Sequence, residues 1–251
     1  MELEVSFQVI ICDICDKRFI SGFSIFHSTI GELSDKYYLD FTPAGWAFSI
    51  WSLIYIWLGI SVIFCKFTLQ YSKQIFASLP CFFADIVIVF KKDKDGLRYY
   101  MNPPIIDLIF SFSLTLNYAL NTTWVFTWDR EELVTSCAVL IFMALTNILC
   151  TGYIAYKISF QNHELKKSNP KLYFCYVMVM NGQGLYATWT VIASLINLGS
   201  ALRYVSMISM QDTSNICLSF LLVFSVIYFA LENTVLDQKL RFLLTPYFGK
   251  F

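Results

Sequence analysis

Charged side chains are scarce in this chain: 14% of its 251 residues are Asp, Glu, Lys or Arg, where a soluble domain carries about a quarter. That is too little charge to solvate an ordinary globular surface. The charges that exist cancel, 18 basic against 18 acidic, and no basic patch interleaves with aromatics. Nucleic acid is therefore not an expected partner. Histidine is scarcer still, with only His27 and His163. No Ser/His/Asp set, paired carboxylates or phosphate-cradling glycine loop occurs, so hydrolytic and phosphoryl chemistry have no support. On this ground a non-enzyme is expected before an enzyme. The strict alternation of a membrane β-barrel strand is also missing.

What the chain has is apolar and aromatic residue, 57% and 18% of the total. Five segments are long enough for a hydrocarbon core, which takes about 20 residues in a helix. They run over 44–65, 103–128, 133–156, 172–200 and 213–231. The expected fold is an all-α, polytopic transmembrane bundle of about five spanning helices. Two weaker segments are candidates for an extra short helix. The N-terminal 1–30 is interrupted by Asp13, Asp16, Lys17 and Arg18, and the 79–90 segment is short and holds Asp85. The latter reads as interfacial or re-entrant. The fourth span contains Asn181-Gly182-Gln183-Gly184, which suggests a helix break of the kind that forms ion sites in secondary transporters.

Orientation follows from basic residues in the connections. From the first span onward they number 6, 1, 4, 1 and 3, the alternation a five-span bundle requires. This places the first and third connections and the C-terminus in the cytoplasm, and the N-terminus outside. The eight cysteines do not alter the class. Five lie in or beside apolar runs, where a thiol behaves as a small hydrophobe. Cys12 and Cys15 form a lone C-x-x-C pair without a second pair or nearby histidines, so no metal site is expected. Asp107, the one acid inside a span, sits near a cytoplasmic end and reads as a solvated helix terminus.

Three spans carry polar and aromatic residues at helical spacing. Trp51, Tyr55 and Gly59 recur on the first; Asn117, Asn121, Trp124 and Trp128 on the second; Tyr186, Trp189, Ala193 and Asn197 on the fourth. Such intervals put each set on one helix face. The plain reading is helix packing and headgroup anchoring, which is expected for Trp46, Trp57, Trp124 and Trp128 near span ends. Trp189 lies near mid-membrane, where a buried indole N–H needs an acceptor, and Asn117 or Asn121 is the expected one. With the orientation above, the three stripes fall at one depth, as the wall of a ligand pocket would. The expected ligand-binding set is Trp51, Tyr55, Asn117, Asn121, Trp124, Tyr186, Trp189, Ala193 and Asn197, with no catalytic or metal residues. Asn121-Thr122-Thr123 fits a glycosylation sequon but lies inside a span, so no glycan is expected.

The stripes resemble a known family. Pro43-Ala44-Gly45-Trp46-Ala47-Phe48-Ser49-Ile50-Trp51-Ser52-Leu53-Ile54-Tyr55 resembles the P-x-x-W-x-F-x-x-W-x-L-x-Y signature of the TspO/MBR family, the tryptophan-rich sensory or translocator proteins. Leu120-Asn121-Thr122-Thr123-Trp124 resembles its L-N-x-x-W. Tyr186 to Trp189, with Ala193 and Asn197, resembles its P-Y-x-x-W-x-x-x-A-x-x-x-N, although Leu185 replaces the proline. The stretch Thr29 to Tyr37 is similar to the entry segment of larger eukaryote-type members. The resemblance implies a five-helix bundle, often dimeric, enclosing a pocket for lipophilic ligands such as porphyrin, haem or sterol. It requires no cofactor, porphyrin or haem entering as ligand. It also implies the alternative of a tryptophan-dependent enzyme that breaks down a tetrapyrrole, beside the secondary transporter that the Gly182 and Gly184 break suggests. The NLGSALR stretch from Asn197 to Arg203 lacks the tyrosine of the family's sterol motif, which weakens the sterol expectation. The expected partners are the lipid bilayer, a lipophilic small molecule and a second copy of the chain. The expected organisation is a divergent N-terminal region at 1–42, the bundle at 43–200, and an additional transmembrane helix with a cytoplasmic tail at 201–251.

Overall fold

A run of apolar residues in a bilayer can satisfy its backbone N–H and C=O groups only internally, so it must coil into a helix or close into a barrel. The computed structural model, which describes residues 27–70, 108–168, 170–240 and 242–248, shows helices. Their order is α1 (Ile30–Lys36), a 3-10 turn (Gly45–Ser49), α2 (Ile50–Gln70), α3 (Leu108–Asp129), α4 (Leu133–Ser168), α5 (Pro170–Tyr204), α6 (Met210–Asn233), α7 (Asp237–Leu240) and α8 (Thr245–Phe248). The helices α2 to α6 fall on the five apolar segments. Among the described residues, three stretches are long and apolar enough to cross a membrane: Leu133–Phe160, Tyr173–Tyr204 and Met210–Asn233. Cys12, Cys15, Asp107 and the 79–90 segment lie outside the described residues.

The helices α4 and α5 form an antiparallel hairpin and the most extensive helix pair of the fold, with α3 against α4 and α2 against α5. At 1.5 Å per residue each arm is about 50 Å long, well beyond a hydrocarbon core of about 30 Å. The hairpin tip, with Lys166 and Lys167, therefore extends past it. Within its spanning stretch α5 is 61% buried and α6 only 11%, which makes α5 the central helix and α6 a peripheral one.

Hydroxyl residues inside these apolar helices bond to their own backbone. Thr122 donates to the Tyr118 carbonyl at 2.9 Å, Thr151 to Asn147 at 2.8 Å, Thr188 to Gly184 at 2.9 Å and Ser194 to Thr190 at 2.6 Å. This back-bonding lets a polar side chain sit in an apolar helix without an orphan group.

The suspected break in the fourth span does not occur. Helix α5 runs unbroken through Asn181-Gly182-Gln183-Gly184. The glycines act as notches instead. A Cβ on Gly182 would meet Trp57 Cδ1 at 2.5 Å, and one on Gly184 would meet Leu243 Cδ1 at 2.5 Å. Missing side chains in apolar helices permit close approach, and here they admit a side chain from α2 and one from the C-terminal segment.

One end of the bundle is capped by residues 27–49. Asp129 Oδ1, at the end of α3, accepts the backbone N–H groups of His27 at 2.8 Å and Ser28 at 3.0 Å. Thr29 and Glu32 close a reciprocal capping box on α1, satisfying two otherwise orphaned donors. Between α3 and α4, Glu131 takes a left-handed conformation, φ 59°, uncommon for a residue with a Cβ. Its side chain accepts hydrogen bonds from Lys36 and Tyr37, so the turn that ends α3 also fastens α1. Leu39, fully buried, lies over Gly199 of α5, and Tyr204 donates to the Tyr38 carbonyl at 2.8 Å.

Candidate functional site

Just below this cap the three stripes converge. The 3-10 turn delivers the chain into α2 with Trp51 one residue past the helix start, and Trp51 is fully buried at the centre of an aromatic cluster. Its ring stacks on Trp124 of α3 with centroids 5.2 Å apart, and on Tyr55, one turn along, at 5.6 Å. Tyr186 and Trp189 of α5 meet it edge-on at 6.2 and 6.3 Å. Phe48 packs edge-on against Trp189 at 6.2 Å. Offset-stacked and edge-on pairs at these distances are favourable beyond their buried area, by about 0.5–1.5 kcal/mol each.

Two asparagines, Asn121 and Asn197, tie the rings to the helices, and a third, Asn117, ties α3 to α4. Asn121 receives a hydrogen bond from Tyr55 at 3.2 Å and donates to the Tyr186 hydroxyl at 2.8 Å, so one amide joins α2, α3 and α5. Asn197 Oδ1 accepts the Trp124 indole N–H at 3.2 Å and the Ser136 hydroxyl at 3.1 Å. Its Nδ2 turns back to the Ala193 carbonyl. Asn117 donates to the Met143 carbonyl and to Thr146 Oγ1, both at 2.8 Å. All nine residues expected as a pocket wall are buried. Eight take part in these ring and amide contacts, Ala193 by its carbonyl, while Asn117 bonds toward α4 rather than toward the rings.

Two expectations are corrected. The acceptor for Trp189 is neither Asn117 nor Asn121: Asn121 Oδ1 accepts from Tyr55, and Trp189 Nε1 and Asn117 Oδ1 are each buried without a partner among the described residues. Trp124 and Trp128 are not headgroup anchors, since both are at least 97% buried. Trp46, 77% exposed, suits that role. Trp57 instead donates to the Met178 carbonyl at 3.0 Å beside the Gly182 notch.

Sequence reasoning misses a polar seam along α4. Ser136, Asn147 and Thr151 lie on one face and meet α5 in register. Leu140 O accepts from Ser194 at 3.1 Å, Asn147 Oδ1 accepts from Gln183 at 2.6 Å, Asn147 Nδ2 donates to Thr190 at 3.4 Å, and Thr151 reaches the Gln183 carbonyl at 3.3 Å. Their intervals of 11 and 4 residues are ones that also mark the other stripes. No aromatic residue among them draws attention to the pattern.

No group of three or more His, Cys, Asp or Glu that could hold a metal ion occurs among the described residues. One ionisable contact outside the spanning stretches joins α1 to the turn between α3 and α4. Glu131's carboxyl is held below its ordinary value, chiefly by the hydrogen bond from Lys36 and then by that from Tyr37. The same carboxylate raises both partners.

The apolar spanning helices around a buried aromatic core define an integral membrane protein. Residues 8–90 match the family model described as TSPO-like protein, and the match supports the TspO/MBR-family assignment. It covers a third of the chain and includes the first motif, from Pro43 to Tyr55; the second and third motifs lie beyond it. No curated protein and no solved structure matches the chain.

Proposed function

We propose that the chain binds a lipophilic ligand of the porphyrin or haem class, for transport or sensing, in a pocket of a five-span bundle walled by Trp51, Tyr55, Asn117, Asn121, Trp124, Tyr186, Trp189, Ala193 and Asn197. The observation that carries this reading is Trp189 Nε1, buried without a partner among the described residues and set against the Trp51 and Phe48 rings. A buried group without a partner costs about 1–3 kcal/mol. A planar ligand with polar edge groups would stack on the rings and accept from the indole N–H. Entry requires the rings to separate, because Trp51 has no exposed surface.

A tryptophan-dependent enzyme is the alternative. What favours it is the continuous ring contact from Trp124 through Trp51 to Trp189, which suits electron movement away from a bound tetrapyrrole. The transporter reading loses its starting point, since α5 is unbroken. Titration of the purified protein with protoporphyrin IX and haemin, followed through the ligand's own absorbance, tests the proposal. Saturable binding that Trp51→Ala abolishes is expected, and the absence of saturable binding contradicts it. Loss of porphyrin absorbance under light that needs Trp51 and Trp189 would favour the enzyme.

A further inference from the structure

At the end of the bundle away from the cap, the C-terminal segment folds back onto α5. Recognition is through its backbone. The side chain of Asn181, itself 7% exposed, donates from Nδ2 to the Phe242 carbonyl at 2.7 Å. Its Oδ1 accepts the N–H groups of Leu244 at 2.9 Å and Thr245 at 3.3 Å. Thr245 Oγ1 returns a bond to the Asn181 carbonyl at 2.6 Å. One asparagine thus reads three main-chain sites of the segment, and the Gly184 notch receives Leu243.

Beneath the segment lies a second apolar core, distinct from the aromatic one. Leu240 and Leu243 are buried there with Cys150, Ile154 and Met180. Pro246 is buried as well, while Leu244 is 58% exposed and Phe242, 40% exposed, meets the Tyr173 ring edge-on at 6.3 Å. Its grip is Leu240 and Leu243, the buried Thr245 and Pro246, the Asn181 contacts, the edge-on rings Phe242–Tyr173 and Tyr247–Tyr228, and a clasp from Tyr247 to Glu232 of α6. Ordering a short segment costs conformational entropy at every residue, which offsets much of what these contacts supply. Elements with few buried apolar contacts open at a free energy below that of the whole fold.

We propose that residues 240–248 are a releasable latch, docked in a backbone-reading site made by Asn181 and Gly184 of α5, and that its release opens this end of the bundle interior to water. The latch is separate from the aromatic site and needs no ligand to be tested.

The native Cys150 reports on it, because this thiol is 2% exposed in the core the latch covers. Cys137 and Cys217 serve as internal controls. Cys217 lies beside Gly199, near the capped end, and Cys137 opens α4 at that same end. The full chain in lipid nanodiscs is treated with N-ethylmaleimide and each cysteine's modification rate is read by peptide mapping. Three variants release the latch by different means. Gly184→Leu fills the notch and also raises the helix propensity of α5. Asn181→Leu removes the backbone contacts. Leu243→Ser weakens the segment from its own side and leaves the helices untouched. The expected result is at least a tenfold rise at Cys150 in all three, with Cys137 and Cys217 unchanged. A Cys150 rate that rises less than tenfold in every variant overturns the proposal. So does an equal rise at Cys137 and Cys217 in Leu243→Ser, which would make the segment a support of the whole fold rather than a latch.

Discussion

The aromatic cluster around Trp51 and the amide seam between α4 and α5 are both buried and both polar, yet they are built on opposite terms. In the cluster, large rings from three helices carry the packing, and the indole N–H groups of Trp128 and Trp189 have no partner among the described residues. In the seam, small side chains carry the packing, and no side-chain atom of Asn147, Thr151, Gln183, Thr190 or Ser194 is among the buried atoms without a partner. A saturated network fixes one arrangement of its helices, whereas a partly satisfied one leaves hydrogen-bonding capacity for something else. Under the proposed function, the seam is the frame of the molecule and the cluster the place where the ligand enters.

The contrast can be broken first at Trp51. Trp51→Ala removes the ring on which Tyr55, Trp124, Tyr186 and Trp189 all pack, and a core deletion of that size costs about 3–5 kcal/mol. Thermal unfolding in detergent should show a larger fall for this variant than for any seam or cap substitution. Next is the seam. Asn147→Leu strands the Gln183 amide, and an orphaned buried donor costs about 1–3 kcal/mol. The double variant Asn147→Leu/Gln183→Leu should recover part of that loss, and a double-mutant cycle measures the coupling. Additive losses would show that the two amides are independent.

A smaller and sharper test compares two tryptophans. Trp124→Phe deletes an indole N–H bonded to Asn197 and should cost about 1 kcal/mol. Trp189→Phe deletes an N–H with no partner among the described residues, so unfolding should barely change while ligand affinity falls. The smallest effect lies at the cap. Glu131 is held below its ordinary value by Lys36 and Tyr37, so its contribution is complete at neutral pH. It is lost as pH falls through the lowered folded value. Lys36 and Tyr37 are raised by the same carboxylate, so on the alkaline side the contact persists until pH passes their raised values. Amide exchange of residues 30–37 should accelerate in acid, and Glu131→Gln should remove that acid dependence.

The five long helices are legible in the sequence as apolar segments, and among the described residues α4, α5 and α6 are long and apolar enough to cross a membrane. Which way a side chain faces is less legible. Trp124 stands near the end of its span, as an anchor would, but its face of α3 points at Asn197 of α5, a pairing that only tertiary contact reveals. The surroundings of Trp189 are hidden for a related reason: the Asn121 oxygen accepts from Tyr55 instead, another pairing that the sequence does not display. Gly182 and Gly184 look like helix breakers because in water an interior glycine weakens a helix. In the packed bundle they are the notches that admit Trp57 and Leu243. The docking of residues 240–248 has no sequence signal, since it rests on main-chain atoms that every residue shares.

The measurement that bears most directly on the division of labour between cluster and seam is an absorbance titration with protoporphyrin IX. It compares the wild-type chain, Trp189→Phe and the double variant Asn147→Leu/Gln183→Leu. Trp189→Phe is expected to weaken binding at least tenfold, while the seam variant stays within about threefold of wild type, a difference under about 0.7 kcal/mol. Equal affinity in all three proteins, or a greater loss in the seam variant, would contradict that division.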